Sequence, residues 1–217
     1  MHTLLLCLAG PLQSWGVQSR FSVRDTGLEP SKSGVVGLLC AALGRPRSAP
    51  VADLAGLTLG VRADREGIVA RDFHTAQQVL KASGGIKNTE PSNRYYLSDA
   101  AFLVGLAGDD LDLLRDLHAA LRNPVWPLYL GRKAFVPGEP VWLEDGLKEA
   151  MDLHRALSLD VSPWQPRPGQ KRPDQLRLVL EDETGSEVRP DQPLSFAERR
   201  FAPRRVRTTF IDLPVSQ

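Results

Sequence analysis

The segment "SGVVGLLCAALG", residues 33–44, constrains the fold more than any other. It reads as a helix: Ser33 is placed to cap its start, and Gly44 with Pro46 ends it. A helix that is apolar almost all round cannot lie on a surface with one face wet; other layers have to bury it. The chain must therefore build a layered core around it. Its 217 residues, 42% of them hydrophobic, suffice for one sizeable domain or a domain with a small partner lobe.

The remaining elements follow from period and punctuation. "HTLLLCLA" is a short apolar strand stopped by Gly10-Pro11, and a long polar loop runs on to about Lys32. The opening lacks the basic residues and small-residue cleavage site of a signal peptide, so it reads as a strand. Strands near 57–62 and 68–74 flank Gly67 and suggest a hairpin. Residues 77–93 are polar, carry Gly84-Gly85 and Pro91, show no strong period, and read as an excursion from the fold. "YYLSDAAFLVGLAG" is a strand; "DDLDLLRDLHAALRNP" is an amphipathic helix with aspartates in its first turn, Arg122 in its last and Pro124 as its stop; "VWPLYLGRKAF" supplies a further strand. With the hairpin counted as an elaboration, the order is βαββαβ, which predicts an α+β, ferredoxin-like (RRM-like) sheet with helices on one face over residues 1–136. Residues 137–217 predict a smaller C-terminal β lobe. It comprises a strand and short helix in "EPVWLEDGLKEAMDL", a mobile loop at 162–174, a hairpin around Thr184-Gly185, and a late strand in "RRVRTTFIDLP".

The chemistry the sequence offers is that of binding. No GxSxG or HExxH is present, and no metal or cofactor is expected. Cys7 and Cys40 sit in apolar runs and read as buried free thiols, which fits a reducing cytoplasm. No apolar run approaches the ~20 residues of a membrane span. Net charge is +1, so only local distribution bears on nucleic acid. Basic residues cluster in "RRFAPRRVR", at Arg132-Lys133, in the first loop (Arg20, Arg24, Lys32), and around the excursion (Lys81, Lys87, Arg94). The helix start "SKSGVVG" offers backbone N–H groups to a phosphate, with Lys32, Ser33 and Gly34 beside them; alternatively Gly34 and Gly37 allow close packing of a buried helix. His74 shares a strand face with Asp72 and lies beside the lysine-bearing excursion, and a strand-end histidine bonded to backbone is the equal alternative.

Taken in order, "LAGPLQSWG", "PSKSGVVGLLCAALG", "RDFHTAQ", "YYLSDAAFLVGL", "LYLGRKAFVPGEPV" and the closing "DLPVSQ" resemble the family of CasD subunits of type I-E CRISPR Cascade, within the RAMP superfamily. The "AFVP" block departs from it, standing where the family more often has a serine-cysteine pair before proline. The resemblance implies a ferredoxin-like domain with a protruding thumb, here 77–93, and a smaller β lobe. It also implies a cytoplasmic, non-catalytic subunit that caps the 5′ handle of the CRISPR RNA and meets the backbone subunit CasC and the large subunit CasA. Gln13, Trp15 and Arg20 would then meet the handle, though Trp15 could instead be a packed lid; Lys87 and Arg94 would present charge from the thumb. A metal-independent endoribonuclease is the alternative. It needs a base, an acid and a cation near the scissile phosphate, and His74, Tyr95 or Tyr96, and Lys87 are its candidates.

Overall fold

The computed structural model describes residues 1–17, 22–159 and 173–212. In chain order the elements are β1 (His2–Ala9), β2 (Leu12–Gln13), β3 (Val23–Arg24), α1 (Lys32–Leu43), α2 (Ala52–Ala55), β4 (Thr58–Arg65), β5 (Ile68–Leu80), β6 (Ile86–Ser98), β7 (Ala101–Gly108), α3 (Leu111–Arg122), β8 (Trp142–Lys148), α4 (Leu153–Leu159), β9 (Gln175–Glu181), β10 (Glu187–Ser195) and β11 (Arg200–Asp212). The molecule is an α+β protein, rich in antiparallel strands. Seven strands form one sheet in the order β10-β11-β9-β4-β7-β1-β8, all neighbours antiparallel. Within it, β8-β1-β7-β4 are joined by α1 on the path from β1 to β4 and by α3 between β7 and β8.

Alternation along β1 divides the core. Leu4, Leu6 and Leu8 pack with α1 and α3 on one face, while Leu5 packs with Leu153 and Leu157 of α4 on the other. Helix α1 is buried as its composition requires, but its N-cap is Ser31, whose Oγ accepts from Gly34 N–H at 3.3 Å; Ser33 lies inside the helix. Gly44 ends it at φ +69, and Asp110 caps α3 by accepting from Leu113 N–H at 2.9 Å. Both cysteines are buried and free, and burial pushes the Cys7 thiol up to about 12. No helix among the described residues is long and apolar enough to cross a membrane.

Four local expectations are corrected by long-range pairing. Strands β4 and β5 form no hairpin: β4 pairs with β7 and β9, and β5 pairs with β6. Residues 77–93 are no irregular excursion but most of a long ribbon, β5–β6, closed by a turn at 81–85 with Gly84 and Gly85 at positive φ. Arg65 faces Ala101 and Ile68 faces Ser98, so the ribbon prolongs the β4/β7 pair beyond a bend at Gly67 (φ +75) and Asp99 (φ +57). Its residues are mostly exposed on both sides, which explains the missing period: a ribbon with no buried face has no apolar alternation. Residues 125–135 hold turns, not a strand. Finally, β9 and β10 flank β11 instead of pairing around Gly185, and β8, β9, β10 and β11 all extend the same sheet as β1, β4 and β7. The expected break at 137 is thus bridged by backbone hydrogen bonds on both sides of the sheet. The mobile loop expected at 162–174 lies mainly outside the described residues.

Candidate nucleic-acid interface

The first loop wraps the root of the β5–β6 ribbon. Leu12 and Gln13 pair antiparallel with Ser98 and Leu97, and Val23 and Arg24 pair parallel with Asn93 and Arg94. This wrapping buries two residues expected at the surface. Trp15 is 1% exposed and Gln13 0%. Gln13 Nε2 donates to the carbonyls of Leu8 (2.9 Å) and Ala100 (2.8 Å), and its Oε1 accepts from Trp15 Nε1 at 3.0 Å. The indole lies on α1 at Gly34, where an added Cβ would stand 2.8 Å from Trp15 Cε3. Trp15 and Gln13 are therefore internal struts, and the packing alternative holds for Gly34. Arg20 lies outside the described residues.

The start of α1 is similarly committed. Lys32 N–H donates to Asp191 Oδ2 at 2.7 Å, and Gly34 N–H goes to Ser31, so the helix end is capped from within by a carboxylate and a hydroxyl. The Lys32 side chain, expected to face RNA, is 2% exposed, and its ammonium donates to both Glu181 oxygens at 2.9 Å. Burial lowers its pKa from the ordinary value, and Glu181 opposes that shift. Arg204 completes the network through Asp191 (2.7 and 3.0 Å). Much of the arginine run is spent the same way: Arg200 pairs with Glu198, Arg205 donates to the Gly185 carbonyl, and Arg207 pairs with Asp182.

Positive charge gathers elsewhere, at the ribbon root. The parallel register places Arg24 beside Arg94. Arg132 reaches the same point: its Nη2 donates to the Tyr95 carbonyl at 2.8 Å, and its guanidinium lies over Phe135, 5.4 Å from the ring centroid. Burial first, then Arg94, and more weakly Arg24, lower the Arg132 pKa, with Asp25 and Asp72 opposing. Guanidiniums so close repel one another, and a polyanion relieves that repulsion. Lys133, the next residue, is exposed. Ser33 is half-buried and, with Gly34 and Gly131, lines a cavity against α1.

The four residues of the nuclease alternative do not converge. His74 Nδ1 lies 2.6 Å from Asp72 Oδ2, opposite Ser92 in the register. Tyr96 shares that face two pairs away, Tyr95 faces the other side, and Lys87 pairs with Glu90 about 16 Å further along the ribbon at ~3.3 Å per residue. Among the described residues no group of three or more His, Cys, Asp or Glu could hold a metal.

The family model for the CRISPR-associated protein (Cas_Cas5) matches residues 3–207. The chain belongs to this family. The CRISPR system Cascade subunit CasD of Escherichia coli (strain K12) is 34% identical over 169 residues, covering 71% of this chain and 75% of that protein. A crystal structure of a Cas protein is 48% identical and superposes with a TM-score of 0.80 over 99% of this chain and 98% of that one. A chain of a CRISPR RNA-guided surveillance complex, 34% identical, also gives a TM-score of 0.80 over 98% of this chain and 91% of its own.

Within this Cas_Cas5 chain, the structure brings Arg94 and Arg132 together and adds Arg24, which sequence reading left as one charge among several in a loop. It separates them from Lys32, Trp15 and Gln13, which are interior, and from Lys87 near the ribbon tip. The signal that could have moved Trp15 inward was its chemistry: a large apolar ring with one donor is usually buried once that donor finds a partner, and Gln13 stands two residues away.

Proposed function

We propose that this chain is a subunit of a CRISPR RNA-guided Cascade complex that grips the 5′ handle of the RNA and breaks no bond in it. The observation that carries this reading is the convergence of Arg24, Arg94 and Arg132 at the root of a projecting ribbon, in a chain otherwise near neutral. The order β8-β1-β7-β4 with its two helical crossovers corresponds to a ferredoxin-like core, and the β5–β6 ribbon to the thumb. The arginines would hold handle phosphates, Tyr96 on the Arg94 face of the ribbon would offer stacking, and Lys133 would extend the positive track. CasC and CasA subunits are the proposed neighbours, and the cytoplasm the proposed compartment.

The test is incubation of the pure chain with labelled repeat RNA in EDTA, over a salt series. The expected result is binding with intact RNA, and for Arg94→Ala a slope of log K against log salt shallower by about 0.7, one single-strand phosphate contact. Cleavage in EDTA would establish the nuclease instead. No binding would leave a protein-only assembly adaptor.

A further inference from the structure

Gly37 stands in the middle of α1 without a structural reason. Glycine inside a helix costs about 1 kcal/mol against alanine, so it needs a compensating use. Every other described glycine has one: either its φ is positive, or an added Cβ would come within 3.3 Å of another atom. At Gly37 the nearest atom to an added Cβ is Phe196 Cζ at 3.9 Å, and the backbone is ordinary helix. Nothing in the described fold requires this residue to lack a side chain.

What the missing side chain leaves is the floor of a cavity of about 310 Å³. Trp126, Tyr129 and Phe196 line it, and Trp126 is 44% exposed. The wall is fixed to α1 by main-chain bonds: Val125 and Trp126 N–H donate to the carbonyls of Ala42 (2.9 Å) and Ala41 (3.1 Å). Arg47 also lines the cavity; its Nε donates to the Phe196 carbonyl at 2.9 Å, and it pairs with no carboxylate among the described residues. The volume is at the small end of ligand sites, fitting one flat group and not a length of chain. Gly131 also lines the cavity, and the next residue, Arg132, belongs to the arginine cluster.

We propose that this cavity takes one unstacked base of the single-stranded RNA held at the arginine cluster, with Gly37 as its floor, the aromatic rings as its stacking walls and Arg47 set for the adjoining phosphate. The proposal rests on the RNA-binding reading above. Base-on-aromatic stacking suits any base face, and the uncommitted cation favours a nucleotide over an apolar side chain of a protein partner.

The experiment is a cycle between Gly37→Leu, which fills the cavity from a helical position, and abasic substitution at each handle nucleotide, read as RNA affinity of the full chain. In the unsubstituted protein one abasic position should weaken binding by about 5–100-fold. Gly37→Leu should weaken intact RNA by a similar factor and show no further loss with that abasic RNA. Gly37→Ala should melt no lower than the parent, since it gains helix propensity without a clash. Trp126→Ala, which trims a 44% exposed side chain, repeats the cycle should Gly37→Leu misfold. Additive losses at every position, or parental affinity in Gly37→Leu, overturn the cavity assignment while leaving RNA binding intact. Normal RNA affinity with failed assembly beside the other subunits overturns it in favour of a protein side chain as the occupant. Absence of RNA binding by the parent chain removes both readings.

Discussion

Replacing Glu181 by Gln removes one charge from a buried network and almost nothing of its shape. Lys32 and Glu181 side chains are 2% and 23% exposed, and both carboxylate oxygens accept from the ammonium at 2.9 Å. The amide oxygen introduced by Glu181→Gln would still accept the Leu59 N–H that Glu181 Oε2 receives at 3.1 Å, while the amide NH2 would replace the other oxygen that accepts from Lys32, so the change removes the opposing charge together with one of its two acceptors. Stripping the partner from a buried charge costs about 3–5 kcal/mol. Asp191 remains near Lys32 and Glu181 is partly wet, so the lower end, about 3 kcal/mol, is expected here. That is a large share of the ~5–15 kcal/mol by which domains are stable, and it reads out as a lower denaturation midpoint in urea. The pH dependence has a definite sign. A lysine whose folded pKa lies below its unfolded one binds fewer protons in the folded state between the two values, so its contribution to stability rises with pH through that window. Loss of Glu181 pushes the folded value further down. The gap between Glu181→Gln and the parent should therefore be constant below the window in which the variant's lysine titrates, as long as the carboxylate stays ionised, and narrow as pH climbs through that window toward the ordinary lysine value of ~10.4. Adding Lys32→Met should recover part of the loss. A change below about 1 kcal/mol at neutral pH, or a gap that widens as pH climbs, would show that Lys32 escapes to solvent and that the network does not fasten α1 to β9 and β10.

Two further substitutions probe the loop that wraps the ribbon root. Trp15→Ala should cost about 3–5 kcal/mol in chemical denaturation, because a fully buried ring is lost and Gln13 Oε1 loses its donor; a cost under about 1.5 kcal/mol would mean that the loop collapses onto α1 without it. Gly131→Ala should destabilise by about 2 kcal/mol or more and weaken RNA binding with it. The residue has φ +84, its Cβ would collide with the Ser14 carbonyl oxygen, and the backbone shift would carry Arg132 away from Arg94. Parental stability and affinity together would contradict the placement of Arg132.

Local sequence determined what local forces settle. The apolar helix α1 with Gly44 at its end, the α3 helix behind Asp110, the apolar strands β1 and β7 and the strand β8 are each legible, because a buried face or a cap imposes its period and residue type on neighbours in the chain; the short helix expected within "EPVWLEDGLKEAMDL" is displaced, since α4 begins only at Leu153, where that segment ends. The family blocks carried the RNA-binding expectation in the same way. What only the tertiary structure decided is which partner each polar or exposed group meets. Whether Lys32 faces RNA or Glu181 depends on a strand far along the chain, as does the pairing of Arg204 with Asp191. The arginine cluster exists because a two-residue parallel register lays Arg24 on Arg94, and no local pattern encodes that. The ribbon shows no period because it touches little of its own fold, and β9 and β10 look like a hairpin until β11 enters between them. Side-chain alternation specifies a face; it does not specify the strand on the other side of the hydrogen bonds.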